Sequence, residues 1–174
     1  MTPGANVDIE PIRPNDRDTL LAWLREPHLR PHYVREGETP KNLLAQHADI
    51  LAGRGGTHGL VARMNGTPFG YVQWYLNRTY PDYGSALLGR ERGVSLDYYI
   101  GNPGHLGRGL GPIVLRAALS HICPRIESAD RIFFIGHAPS NAAAMRCTGA
   151  AGFRCEGSFV ENGEPRVLFV RDER

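Results

Sequence analysis

Long apolar runs are missing from this chain. No stretch of about 18 apolar residues occurs, which excludes a membrane-spanning helix. Charge of one sign is not in excess either. The formal net charge is +2, too small to suggest a nucleic acid or a membrane surface as partner. The opening "MTPGANVDIEPI" lacks the charged start and apolar core of a signal peptide, so a cytoplasmic location is expected. Cysteine is scarce: Cys123, Cys147 and Cys155 are odd in number and lack paired ligand spacing. Buried or reduced thiols are therefore expected. Seven histidines are scattered along the chain, and no metal is expected. Repeats, low-complexity segments and linkers are absent, so the 174 residues read as one domain spanning 1–174.

What is present is globular. Hydrophobic residues make up 41% and charged residues 22%, close to the averages of folded domains. "VDIEPI" (7–12) alternates as a strand. After Pro14, Asn15 or Asp16 can cap a helix carrying Leu20, Leu21, Trp23 and Leu24. Thr39, Pro40 and Gly53 mark the cap, first turn and end of one helix over 39–53. Asn65-Gly66 and Asn162-Gly163 each sit between strand-like runs, the chemistry of a hairpin turn. Residues 78–93 have no period and read as a long loop, a feature more often functional than idle. Strands are predicted at 94–102 and 131–138, and helices at about 109–123 and from Ser140 as cap to Gly152. Helices between strands predict an α/β domain with a mixed sheet.

The densest signal is "HLGRGLGPIVL" (105–115). Three glycines crowd the start of a predicted helix, where glycine is a poor helix former. Glycine there permits a close approach to the backbone. A helix beginning near Gly109 would aim free N–H groups and the positive end of its dipole at the same place. Together they predict an anion site, phosphate above all. A P-loop is excluded because Pro112 and Ile113 follow Gly111 where Lys and Ser/Thr are needed. The G-x-G-x-G spacing also misses the dinucleotide fingerprint. Glycines that serve only tight packing remain the alternative.

In "VSLDYYIG" (94–101), alternation puts Val94, Leu96, Tyr98 and Ile100 on one face and Ser95, Asp97 and Tyr99 on the other. A carboxylate in a strand interior is disfavoured. Asp97 is therefore either buried and satisfied by backbone amides or by an arginine such as Arg90 or Arg92, or held for chemistry.

Leu106-Gly107-Arg108-Gly109-Leu110-Gly111, with the later Asn141 and Gly152-Phe153, resembles the GNAT family of N-acetyltransferases. The likeness covers nearly the whole chain. It implies a mixed, mostly antiparallel central sheet flanked by helices and acetyl-CoA as co-substrate. By the same resemblance, Ile100, Leu106, Gly107, Arg108, Gly109, Leu110, Gly111, Pro112, Asn141, Ala144 and Arg146 would hold the coenzyme. Within the family, "NDRDTLLAWLREPHL", "NGTPFGYVQWYL" and "PSNAAAMRC" are similar to segments of aminoglycoside 6'-N-acetyltransferases. Siderophore-type lysine N-acyltransferases share much of the pattern, and a catalytically silent acyl-CoA-binding module is the remaining alternative.

The aminoglycoside likeness implies a small polycationic amine as partner, taken by a monomer or homodimer. Asp97 would be catalytic, with Asp82, Asp97 and Tyr99 binding the amine. Departures are also legible. Leu106 replaces a polar residue, Gly136-His137 stands where those enzymes place an Asp, and Thr148 stands where the family usually places Tyr. Thr148 cannot donate a phenolic proton, and a tyrosine restored there is expected to be tolerated. Cys147 is expected to be a packing thiol, since no His or Asp is placed by sequence to activate it.

Overall fold

The structure, a computed structural model, describes residues 7–34, 37–87 and 90–174. In chain order the strands and helices are β1 Val7–Pro11, α1 Arg17–Trp23, α2 Arg30–Tyr33, α3 Pro40–Gln46, α4 Ala48–Leu51, β2 Thr57–Met64 and β3 Thr67–Leu76. Then follow α5 Pro81–Ala86, β4 Val94–Ile100, α6 Leu110–Ile122, β5 Ile132–His137, α7 Ala142–Ala150, β6 Arg154–Glu161 and β7 Glu164–Asp172. The strands form one sheet in the order β1-β2-β3-β4-β5-β7-β6. All described pairs are antiparallel except β4 with β5. This is the mixed sheet that the pattern of helices between strands predicts.

Both hairpins form at the Asn-Gly dipeptides. Asn65 and Gly66 have φ of 50° and 79°, and Asn162 and Gly163 have 51° and 80°. Positive φ at both central residues is the turn whose twist matches paired strands.

Strand alternation divides the core into two layers. Leu60, Ala62, Val72, Trp74, Val94, Leu96 and Tyr98 pack beneath α6, which contributes Val114, Leu115, Ala118, Leu119 and Ile122. Those α6 positions recur at helical spacing, so one stripe of the helix is buried. Val61, Tyr71 and Tyr99 point the other way and pack with Leu20, Trp23, Leu44 and Leu51 from α1, α3 and α4.

Several elements differ from expectation for local reasons. Asp16 does not cap α1 with its side chain. Its carboxylate accepts instead from the Arg13 amide at 2.9 Å and pairs with Arg63 at 2.5 Å. Thr39 caps α3 through the Asn42 amide, as predicted, but the helix breaks at His47, where ψ is 11°. Asn141, not Ser140, caps α7 by accepting from the Ala144 amide at 3.2 Å. The segment 78–93 is not one loop: it holds α5, and residues 88–89 of it lie outside the described residues. Buried Asp130 binds Arg78 and Arg92 from either end of that segment, so ion pairs hold it where apolar periodicity is lacking. No helix among the described residues is long and apolar enough to cross a membrane.

Candidate active site

A parallel pair joined through α6 needs a crossover, and here the pairing is brief. Only Val94 with Phe133 and Ser95 with Phe134 are in register. Beyond Ser95 the two strands part, leaving Asp97 to Ile100 on one side and Gly136 and His137 on the other. The Gly101 amide bonds across to Phe69 of β3 at 2.8 Å. Backbone groups alternate along a strand, so those of Tyr98 and Ile100 face the opening. Their carbonyls are met by side chains: Tyr33 donates to the Tyr98 carbonyl, and His28 Nε2 lies 2.9 Å from that of Ile100.

On the α6 side of this opening sits the glycine loop. Gly107 and Gly109 have φ of 69° and 70°, the left-handed region that suits glycine, and a Cβ on either would meet nothing within 4 Å. Gly109 is the N-cap of α6. The amides of Gly107, Arg108 and Gly109 donate to no other backbone carbonyl among the described residues, and those of the first helical turn have no intrahelical partner by geometry. Leu106, Arg108 and Gly109 are exposed, while Leu110 and Pro112 are half-buried. The loop is thus an open cradle of N–H donors at a positive helix end, which fits a pyrophosphate. Gly111 has a different use. A Cβ there would stand 2.2 Å from Cys147 Sγ, so this glycine lets α6 approach α7. Asn141, Ala144 and Arg146 begin that second helix, with Arg146 exposed.

On the opposite face lies a cavity of about 810 Å³. Asp97 forms part of its floor with Gln73, Tyr71 and Tyr99, beside Tyr33, His137 and Asn141. Glu38, Glu161 and Glu164 join Asp97 in the lining, and Arg166 is the one arginine or lysine among the residues described there. Arg166 is already paired, to Glu161 at 3.0 Å and Glu164 at 3.3 Å. Leu20, Leu24, Pro31, Val34 and Leu43 make an apolar wall across from the acids.

No arginine among the described residues forms an ion pair with Asp97. Arg90 pairs with Glu156, and Arg92 pairs with Glu127 and Asp130. Its hydrogen-bonding neighbour is Gln73, whose Nε2 donates to Oδ2 at 3.3 Å. The residue is exposed toward the cavity, and the protein packed around its carboxylate still takes part of its hydration. That enclosure, followed by repulsion from Glu161, pushes its pKa up to about 6, against smaller opposing pulls from Gln73 and Arg166.

Asp82 falls elsewhere. It is exposed on α5 and is not among the cavity-lining residues. Because the segment closes into a helix, Tyr83 rather than Asp82 turns inward, packing against Tyr75 and Phe159. Two acids that do line the cavity are Glu161 and Glu164. They flank the Asn162-Gly163 turn, a visible signal of a hairpin tip, but only the sheet order brings that tip beside Asp97.

Thr148 also corrects an expectation. It is fully buried, with Oγ1 2.7 Å from His137 Nε2 and 3.0 Å from the Tyr98 hydroxyl. A tyrosine at 148 has no space without displacing both neighbours. Burial holds His137 neutral, with its pKa lowered to about 4. Burial also pushes the Cys147 thiol up, which leaves it protonated and without a base. Cys155 is exposed, and it and Cys123 and Cys147 are free thiols.

A sheet that opens between two parallel strands, with an anion cradle on one side and an acid-lined cavity on the other, is the architecture of an acyl-CoA-dependent transferase. A family model for the acetyltransferase (GNAT) domain matches residues 13–160, and the chain belongs to that family. Its activity is acetyl transfer from acetyl-CoA. Among curated proteins it is 26% identical over 171 residues to aminoglycoside N(6')-acetyltransferase type 1 of Klebsiella pneumoniae, covering 95% of this chain and 83% of the relative. The Serratia marcescens protein of the same name gives the same values. Among solved structures, aminoglycoside acetyltransferase AAC(6')-Ib in complex with coenzyme A superposes with a TM-score of 0.84 at 23% identity, over 97% of this chain and 95% of that one. At that identity the superposition speaks for the fold alone.

Proposed function

We propose that this acetyltransferase modifies the 6'-amino group of an aminoglycoside by direct transfer. The observation that carries the reading is the charge of the cavity, where Asp97, Glu161 and Glu164 face one arginine already paired. Such a wall attracts a molecule with several ammonium groups and orients it by matching charges. The curated relatives are named for the 6'-amino position. One solved relative was crystallised with coenzyme A and kanamycin, another with ribostamycin and coenzyme A.

Asp97 is the base in this proposal. An amine must shed its proton before it can attack, and a carboxylate with a pKa of about 6 is mostly ionised yet basic enough near neutral pH. Gln73 occupies Oδ2 and leaves Oδ1 for the ammonium. Glu161 and Glu164 would take further ammonium groups. Tyr99 supports the floor from below, its ring set edge-on to that of Trp23 at 6.2 Å. The loop of Leu106 to Pro112, with Asn141, Ala144 and Arg146 opposite, would hold the coenzyme. Acetyl-CoA supplies the thioester carbon that the amine attacks. The Tyr98 and Ile100 amides, facing the opening, can polarise the carbonyl as charge develops on it.

The apolar wall of Leu20, Leu24, Pro31, Val34 and Leu43 favours a second reading, an amine with an aliphatic body such as a lysine derivative. Thiol release measured across kanamycin-type aminoglycosides, polyamines, lysine derivatives and peptides separates the two. The expected result is turnover with 6'-amino aminoglycosides and weakening of their KM as salt rises. Turnover restricted to the lysine derivatives overturns the aminoglycoside assignment.

A further inference from the structure

The opening between β4 and β5 is bridged at its α7 side by an unbroken run of polar atoms. His137 comes from β5, Thr148 from α7 and Tyr98 from β4. His137 Nε2 lies 2.7 Å from Thr148 Oγ1, which lies 3.0 Å from Tyr98 Oη. Tyr98 Oη in turn lies 3.2 Å from the Ala144 carbonyl oxygen. Each of the two hydroxyls has one hydrogen, so a run bonded in a single direction from His137 to Tyr98 has two arrangements. In one, His137 donates to Thr148, Thr148 to Tyr98, and Tyr98 to the Ala144 carbonyl. In the other, Tyr98 donates to Thr148 and Thr148 to His137. Passing from one to the other moves one proton from one end to the other.

The ends of the run stand where the reaction needs a proton moved. Tyr98 lies on the α6 face of β4, its ring 3.9 Å from the position a Cβ on Gly111 would take. Asp97 lies on the other face, in the cavity that His137 also lines. A donor held by its pyrophosphate at the α6 N-terminus and attacked at Asp97 must cross the sheet through the opening. Its carbonyl then faces the cavity, and its sulfur, one bond behind, is left on the Tyr98 side.

We propose that Tyr98 is a catalytic residue, the proton donor to the departing thiolate, with Thr148 and His137 as positioning residues that reload it. The C–N bond forms and the C–S bond breaks, its electron pair going to sulfur. The Tyr98 Oη proton moves to sulfur, the Thr148 proton to Tyr98, and the His137 Nε2 proton to Thr148. His137 takes at Nδ1, from the cavity side, the second proton that the nitrogen loses as the amide forms, the first having gone to Asp97. A phenol thus reaches the sulfur from β4, although the helix position at 148 carries none. Cys147, lying against the same hydroxyl, is held protonated and takes no part.

The inference rests on acetyl transfer and not on which amine accepts. The test compares Tyr98→Phe, Thr148→Val and Thr148→Ser with the wild type, using acetyl-CoA and an acetyl thioester of an electron-poor aryl thiol. The aryl thiolate leaves without a proton, so only acetyl-CoA needs the donor. With acetyl-CoA, kcat should fall about 10²-fold in Tyr98→Phe and about tenfold or more in Thr148→Val, while Thr148→Ser stays within about twofold. With the aryl thioester all variants should match the wild type, and coenzyme A affinity by calorimetry should not change. Full turnover of Tyr98→Phe with acetyl-CoA overturns the proposal, as does an equal loss with both donors. If Tyr98→Phe fails to fold, the Thr148→Val and Thr148→Ser pair decides by the same criterion. The wild-type rate across acceptors reports on the aminoglycoside reading, and the variant-to-wild-type ratio reports on the proton donor.

Discussion

On one face of β4, Val94, Leu96 and Tyr98 lie beneath α6; on the other, Ser95, Asp97 and Tyr99 point toward the cavity side of the sheet. Polar groups on the first face are matched inside the protein. The Tyr98 hydroxyl has Thr148 and the Ala144 carbonyl. Ser95, just short of the cavity, is likewise satisfied by Asn77 at 2.7 Å. Asp97 differs from all of these, because an ionised carboxylate can accept about four hydrogen bonds and the structure shows one, from Gln73. A strand that satisfies the Tyr98 and Ser95 hydroxyls and under-serves one carboxylate has left room for a partner of the opposite charge. The same contrast explains why the shift in Asp97 goes upward: partial loss of hydration and repulsion from Glu161 outweigh the smaller pulls of Gln73 and Arg166.

The comparison breaks most visibly at Asp97 itself. Asp97→Asn keeps the shape and removes the base, so kcat should fall about 10²- to 10⁴-fold while coenzyme A affinity holds. The wild-type kcat/KM should rise with pH through about 6, as the carboxylate loses its proton, and the variant should lose that limb. Stability should move oppositely. A carboxylate whose folded pKa is raised weakens the fold as pH rises from its ordinary value of 3.8 toward about 6, because the unfolded chain then binds fewer protons. Asp97→Asn is thus expected to melt at least as high as wild type at pH 7. An unaltered kcat would sink the assignment of the base.

The α6 side breaks next, at Gly109. Its φ of 70° strains any other side chain, and a valine there would fill the open space before the α6 amides. Acetyl-CoA affinity measured by calorimetry should drop about tenfold or more, since backbone approach at a helix N-terminus is what holds the phosphate. Equal affinity would reduce the loop to a packing device.

The smallest effects separate Glu161 from Asp82. Glu161→Gln should raise KM for an aminoglycoside a few-fold with kcat little changed, the pattern of ground-state binding. Asp82→Asn, on an exposed helix position, should leave KM within about twofold, as surface charges usually do. A larger effect at Asp82 than at Glu161 would mean that the substrate reaches over α5.

Local chemistry explains what could be read in the chain. The two Asn-Gly turns, the facing of Asp97, and the helix after the glycine loop each depend on a few neighbouring residues. The break at His47 and the helix inside 78–93 could not be read in that way. The first is a helix ending without Gly or Pro, and the second is pinned by Asp130, far along the chain. Glu161 escaped because β7 inserts between β5 and β6, a matter of topology that no spacing encodes. The partners of Thr148 escaped likewise, since three separate elements supply the hydrogen bonds of one buried hydroxyl.

The parted edge of β4 is already occupied, with Tyr33 on the Tyr98 carbonyl and His28 on that of Ile100. Any extended guest that pairs with those carbonyls must displace the two side chains, making one bond as it breaks another. A net gain of about 0.5–1.5 kcal/mol per ordinary hydrogen bond then shrinks toward nothing at each of these two points. The rim therefore selects a guest by direction and length, while the grip comes from the anion cradle at one end. A spent product that has shed its acyl group loses little at the rim by leaving, because the chain itself refills the places it vacates.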